Sequence, residues 1–479
     1  MKQRLSTERI FSIFKELNQI PRPSHHEEKV ADYLCEFAKQ LHLEYERDSN
    51  NCVIIRKQAS KGYEHAEPVV LLNHMDMVCI GMNDPLHNPI DAYIDNGWIK
   101  ARGTSLGADN GIGLAMALAV LEDENIVHGP LEVIATTNEE DGMSGAEQLS
   151  SNFIHGRKVI NLDSEDYDTV TTASAGACLQ YHKIPMKLLP APGGKHRWFR
   201  IRFEGGLGGH SGVDINKGRA STVITTWAIL AAILNEYDFD VASINIGEAN
   251  ASIASTAEVI ICIQSGEPAE FVKEQQESMN QWLKEEFGQS DPNMHCFIEK
   301  CPKQDMIIDR NSIEILMECL EQIPQGVVKM SNYMKNTVET SNNVGRIYTD
   351  KEHIIVSTHT RSFSDKEIEN LRKDIASVFT SKGATTEIIM SAPAWQGDQN
   401  SAFLQLTSDT FYEILGFRPR MVAMHFVLEA GYLVKKFPGI QIACIGPRIL
   451  EPHSISERVE ISTIDDIWQV LIELLKRLS

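Results

Sequence analysis

Short apolar runs that close on a histidine or a carboxylate constrain this chain more than anything else in it. Val69-Val70-Leu71-Leu72 leads into Asn73-His74-Met75-Asp76, residues 131–137 lead into Asn138-Glu139-Glu140, and residues 159–162 lead into Asp163. Apolar runs this short, without polar alternation, read as strands buried on both faces of a largely parallel sheet. Asp109, in Gly107-Ala108-Asp109-Asn110-Gly111, and His453, in Glu451-Pro452-His453-Ser454, are read in the same way, at or just after such a run. Ligands of open α/β sheets bind in the crevice beyond the carboxyl ends of the strands. Loops far apart in sequence can therefore converge there.

The pattern along the chain predicts two kinds of domain. Ile10, Phe11, Phe14 and Leu17 recur at helical spacing until Pro21-Arg22-Pro23 stops them, and Ser24-His25-His26-Glu27 reads as a capping box for a second helix to about Leu41. Residues 53–55, 69–72, 131–137 and 159–162 read as strands, and residues 111–121 as a close-packed helix. The order is that of an α/β domain with a mixed, mostly parallel sheet. The middle differs. Residues 179–189 and 198–204 alternate like half-exposed strands, helices are expected over 219–234 and 272–287, and further strands over 258–264, 326–330 and 353–357. That is an α+β domain with an antiparallel sheet. Residues 441–445 and a helix over 463–478 return to the first style. His453 lies there while its expected companions lie near the start, so the simplest arrangement is a catalytic domain, 1–177 and 392–479, interrupted by an inserted domain, 178–391.

At 479 residues the chain can bury a large core, and 45 Lys and Arg against 66 Asp and Glu leave a net charge of −21. That acidity argues against nucleic acid or an anionic membrane as partner. The nine cysteines form no Cys-x-x-Cys pair, which fits reduced thiols in the cytoplasm. No apolar stretch is long enough to span a membrane.

Each polar string has an ordinary reading beside a chemical one. His74 and Asp76 fit a salt-linked surface pair, or a metal-binding imidazole whose second nitrogen is fixed by a carboxylate. Asp109 fits a capped turn, or a ligand whose small neighbours let the backbone come close. A phosphate loop is a poor third reading, because no Lys stands at the required position. Glu139 and Glu140 fit a solvated turn. Their side chains diverge, so as functional groups they need different tasks, one holding metal and the other taking a proton from water. With Asp163 and His453 the set is two imidazoles and several carboxylates, suited to Zn²⁺, Mn²⁺ or Co²⁺.

Longer strings carry a resemblance over nearly the whole chain: Asn73-His74-Met75-Asp76-Met77-Val78, residues 100–113, Val127-His128-Gly129-Pro130-Leu131, Asn138-Glu139-Glu140, Gly208-Gly209-His210-Ser211-Gly212 and Thr337-Val338-Glu339-Thr340-Ser341-Asn342. The chain resembles the dinuclear metallopeptidases that include aminoacylases, bacterial carboxypeptidases and dipeptidases, and within them the bacterial aminoacyl-histidine dipeptidases. The resemblance implies two divalent ions, Zn²⁺ foremost, bridged by Asp109. His74 and Asp163 would complete one ion's ligands, and Glu140 and His453 the other's. Glu139 would be the general base and Asp76 would orient His74. The inserted domain would be a lid that dimerises, bringing His210 and Asn250 to the oxyanion and Arg361, expected just past the end of a strand, to the substrate's terminal carboxylate. The implied reaction is hydrolysis of dipeptides such as Xaa-His. Alternatives are an N-acyl-amino-acid deacylase, and a non-catalytic metal- or peptide-binding protein, which would not require Glu139. The chain departs from the pattern at Phe426-Val427 and Ile455-Ser456, departures that bear on specificity.

Overall fold

The computed structural model describes residues 2–194, 196–263, 268–332, 334–398 and 400–479, which form two compact units. The first comprises residues 1–173, 395–423 and 428–479, and the second 174–394 and 424–427.

The first unit is built on a nine-stranded sheet. At its centre Leu131–Thr136, Val69–His74, Lys158–Asn161 and Gln441–Cys444 lie side by side and parallel. Val69–His74 and Leu131–Thr136 are buried at every position. The outer strands Glu44–Arg47 and Val53–Lys57 add on antiparallel, as does Thr169–Ser174 beyond Gln441–Cys444. The helix Ala108–Glu122 is apolar on all sides and buried from Asn110 to Leu121, as a helix inside a core must be. It needs Gly113, where a Cβ would run into the Leu162 carbonyl and the Asn110 side chain. A separate four-stranded sheet joins Ile449–Leu450, Arg458–Glu460, Trp98–Ala101 and Ala92–Asp95.

The second unit carries an antiparallel sheet in the order His295–Lys300, Arg197–Glu204, Ala257–Ile263, Phe239–Ile246, Val338–Thr349, His353–Ser362, Gly176–Pro185, Thr385–Ala392, with Gly326–Met330 also on Val338–Thr349. Gln264, expected within the third of these, lies outside the described residues. The helices Thr222–Leu234, Pro268–Phe287, Arg310–Gln322 and Asp365–Ser381 share a core with the sheet: Ile229, Leu283, Leu316 and Phe379 lie among Phe199, Ile201, Val259 and Val356.

Five local expectations are corrected. Ser24 and Glu27 form no capping box. Helix Glu28–Gln40 has Glu27 at its N-cap without a side-chain bond, and both side chains reach instead to residues far along the chain. Asp109 does not follow a strand but lies in the first turn of Ala108–Glu122, with a non-helical backbone. His453 lies in the turn between Ile449–Leu450 and Arg458–Glu460, at positive φ, rather than directly beyond Gln441–Cys444. The strand expected over 353–357 continues to Ser362, because pairing on both sides satisfies its backbone and Thr360 and Ser362 bond across to Asn342 and Thr340. Arg361 is thus inside a strand. In Gly176–Pro185, alternation begins only at Tyr181, the earlier residues being wholly buried.

Candidate metal centre

His74 ends its strand, and Thr136, its register partner, ends the next. Two residues on, Asn138 adopts a positive φ, which turns the chain into Glu139 and Glu140. Asp163 follows Lys158–Asn161. These strand ends, the Asp109 turn and the His453 turn meet at one place. His74 Nε2 lies 3.0 Å from Asp109 Oδ1 and 3.3 Å from Asp163 Oδ1. His453 Nε2 lies 3.2 Å from Asp109 Oδ2 and 2.9 Å from Glu140 Oε2. The two oxygens of Asp109 therefore face two different histidine–carboxylate pairs. The pairs are close, since single ligand atoms of His74, Asp109 and Glu140 fall within 4.8 Å of one another. His74 is buried, whereas the side chain of His453 is 46 % exposed and meets solvent.

Asp76 is fully buried. It faces His74 Nδ1 at 3.5 Å, beyond hydrogen-bond range, and accepts instead from Ser24 Oγ (2.7 Å) and the amides of Glu139 (3.1 Å) and Glu140 (3.2 Å). Its grip is on the turn that carries the glutamate pair as much as on the histidine. Among the described residues no hydrogen bond reaches the Glu139 carboxyl.

The electrostatics fit a divalent cation. Burial, together with Asp163, Glu429 and Glu140 and against the pull of His74, holds Glu139 well above the usual carboxylate range. Burial likewise raises Glu140 and Asp163, and Glu429 to about 8. His453, bonded to Asp109 and Glu140, is pushed up to about 11, and His74 is held well above its ordinary value by Asp163, Asp109 and Asp76 although burial opposes its charge. So many buried carboxylates within mutual repulsion need a compensating cation. Oxygen and imidazole donors without thiolate suit a hard or borderline divalent ion.

His210, Asn250 and Arg361 belong to the second unit and form their own group. His210 Nδ1 accepts from the amides of Gly212 and Val213, both at 3.3 Å, which leaves Nε2 to carry the proton. Burial and the Arg361 charge depress His210 to about 4, so the ring is neutral. Arg361 is buried, with Nη2 3.5 Å from His210 Nε2 and 3.4 Å from Ser211 Oγ. The guanidinium and the Nε2–H of His210 are thus donors placed side by side. Asn250 Nδ2 donates to Tyr181 Oη at 2.8 Å, which leaves a second N–H. Phe426 stands edge-on to His210, ring centroids 6.2 Å apart.

Sequence reasoning missed several buried groups. Arg22, Glu27, Asn110, Glu429 and Glu457, with the half-buried Ser24, surround the metal-ligand loops, and His359 and His425 lie near Arg361. Ser24 and Glu27 drew notice only as a capping box and Arg22 only as part of a helix-stopping Pro-Arg-Pro, and no local pattern marks the others.

A parallel sheet whose carboxyl edge gathers imidazoles and carboxylates defines the class, a metal-binding hydrolase of α/β fold. The sequence model of peptidase family M20/M25/M40 matches residues 70–477, and the chain belongs to that family. It is 34% identical over 478 residues to the cytosol non-specific dipeptidase of Escherichia coli K12, covering 99% of this chain and 98% of the relative. Among solved structures, the aminoacylhistidine dipeptidase of Vibrio alginolyticus superposes with a TM-score of 0.88 at 32% identity, over 98% of this chain and 96% of the other. The aminopeptidase PepT of Bacillus cereus shares the fold, with a TM-score of 0.63 at 17% identity and 98% of each chain covered.

Proposed function

We propose that this peptidase hydrolyses dipeptides with a free C-terminal carboxylate, Xaa-His among them, using two divalent ions that share Asp109. The observation that carries the reading is the division of Asp109's oxygens between His74 with Asp163 and His453 with Glu140. The names of the Escherichia coli and Vibrio relatives support the substrate class. His74 and Asp163 would hold one ion, Glu140 and His453 the other, and Zn²⁺ is the metal we assign, with Mn²⁺ and Co²⁺ also suited to these donors. Bound there, the ions would polarise the scissile carbonyl and acidify water. Glu139, whose carboxyl no hydrogen bond among the described residues holds, takes the proton of the attacking water and returns it to the leaving amine. Asp76 keeps Glu139 and Glu140 in place through their amides. His210 donates its Nε2 proton to the developing oxyanion, with Asn250 beside it. Arg361 pairs with the terminal carboxylate.

We assign a homodimer formed through the second unit. Its helix Thr222–Leu234 has no charged residue and exposes Ile224 and Leu234, an apolar face that a second copy would cover. Nine free cysteines support a reducing cytoplasm as the place of action.

The test is a comparison of a dipeptide, its C-terminal amide and an N-acetyl amino acid on metal-loaded protein. The free dipeptide should be cleaved and its amide spared. Equal cleavage of acid and amide would exclude carboxylate capture, and preference for the N-acetyl substrate would turn the assignment to a deacylase.

A further inference from the structure

Two buried charged side chains outside the ligand set hold the Asp109 turn from opposite sides. Glu457 lies four residues after His453 in the same turn and is 3% exposed. Its Oε2 accepts from the amides of Leu106 (2.7 Å) and Gly107 (2.9 Å), and its Oε1 from those of Ala108 (2.8 Å) and Asp109 (3.3 Å). Arg22 is 1% exposed. It donates through Nη1 to the carbonyls of Met75 (3.1 Å) and Asp76 (2.9 Å), and through Nη2 to the carbonyl of Gly107 (2.6 Å). Its own carbonyl takes the amide of Met77 at 3.1 Å, so Arg22 is tied to the loop after His74 at both ends. Gly107 has a positive φ of 66°, and a Cβ there would strike the Arg22 guanidinium, so the approach is open to glycine alone.

The amides of the turn thus go to the loop of His453, and the Gly107 carbonyl is linked through Arg22 to the loop of His74. Loss of a group that orients a metal's ligands commonly weakens metal binding by ~10- to 100-fold. From this division we infer that Glu457 and Arg22 are positioning residues, each governing one of the two metal positions: Glu457 the one on the Glu140–His453 side, Arg22 the one on the His74–Asp163 side. The inference rests on the two-metal reading above. Glu457 fixes the distance between His453 and Asp109 Oδ2, and Arg22 fixes that between His74 and Asp109 Oδ1. Neither touches the substrate or the reacting atoms.

The test is calorimetric titration of metal-free full-length protein with Zn²⁺, which reads stepwise affinity without reference to turnover. His453→Gln and Asp163→Asn first identify which binding step belongs to which side. Glu457→Gln should then weaken the His453 step by ~10- to 100-fold and leave the other within about 3-fold, and Arg22→Lys should do the reverse, the size usual for lost outer-shell partners. Equal weakening of both steps by either variant, or the opposite selectivity, would overturn the inference. A single binding step in the unmodified protein would instead refute the two-metal reading. Circular dichroism checks that each metal-free variant is folded, and Glu457→Asp, which keeps the charge, replaces the Gln variant if it is not. Failure of both Glu457 variants to fold would assign Glu457 to folding and end the proposal.

Discussion

Glu139 and Glu140 are neighbours whose different surroundings suit them to different tasks. The Glu140 carboxylate is bonded to His453, while no hydrogen bond among the described residues engages that of Glu139. Glu139→Gln should therefore keep its metal and lose at least ~10²-fold in kcat, the lower end for a removed general base. Glu140→Gln should lose metal first. Metal content measured beside steady-state kinetics checks both, and a metal-poor Glu139→Gln would reverse the assignment. The residues proposed as ligands drew notice through local signals, an apolar run before His74, Glu139-Glu140 and Asp163 and a glycine-lined turn around Asp109. Arg22 and Glu457 carry no such signal, because their partners are backbone groups 53 to 85 and 348 to 351 residues away.

Among the elements, the central parallel strands were legible because burial on both faces leaves an unbroken apolar string. The Ser24–Glu27 segment misled because a helix start and a tertiary hydrogen-bond pair use the same residue types. Ser24 goes to Asp76 and Glu27 accepts the Asn138 amide at 2.9 Å. The end of His353–Ser362 was hidden for a related reason, since Thr358-His359-Thr360-Arg361-Ser362 is polar yet buried within the sheet. A neighbouring buried histidine gives the second unit a measurable acid sensitivity. His182 bonds Thr358 and Thr386, both at 2.9 Å, and stacks on Phe379. Burial lowers it from 6.5 to about 4. The unfolded chain binds the proton first, so stability is present above pH ~6.5 and is lost as pH falls toward ~4. The loss should amount to ~2–3 kcal/mol by pH 4.5, by the usual conversion of pKa shifts. Urea unfolding of the metal-free protein at pH 7 and 4.5 reads it. His182→Gln should flatten that difference, and an unchanged pH dependence in the variant would remove His182 as its source.

For the molecule as a whole, a net charge of −21 and a buried arginine make a consistent pair. Such a surface would repel polyanions, and in the proposed reading one buried guanidinium would receive the single carboxylate that a small peptide offers. Arg361→Ala should slow cleavage of a free dipeptide by about 10- to 150-fold in kcat/KM, the equivalent of a lost charge-assisted pair. Its effect on the amide should be small, and equal slowing of both substrates would contradict the role. The expectation of an inserted domain came from the change of pattern near residues 177 and 392 and from the distance in sequence between His453 and its expected companions, and the two compact units divide after residues 173 and 394. That residues 424–427 group with the second unit was not foreseen, since so short a segment carries no pattern of its own. The central claim is that Asp109 joins two ions, and its most direct test is the metal content of the reconstituted protein beside that of Asp109→Ala. About two ions per chain in the first, as in other two-metal hydrolases, and loss of both in the second is the expected result. Full activity with one ion per chain, or an Asp109→Ala protein that still holds two, would contradict the account.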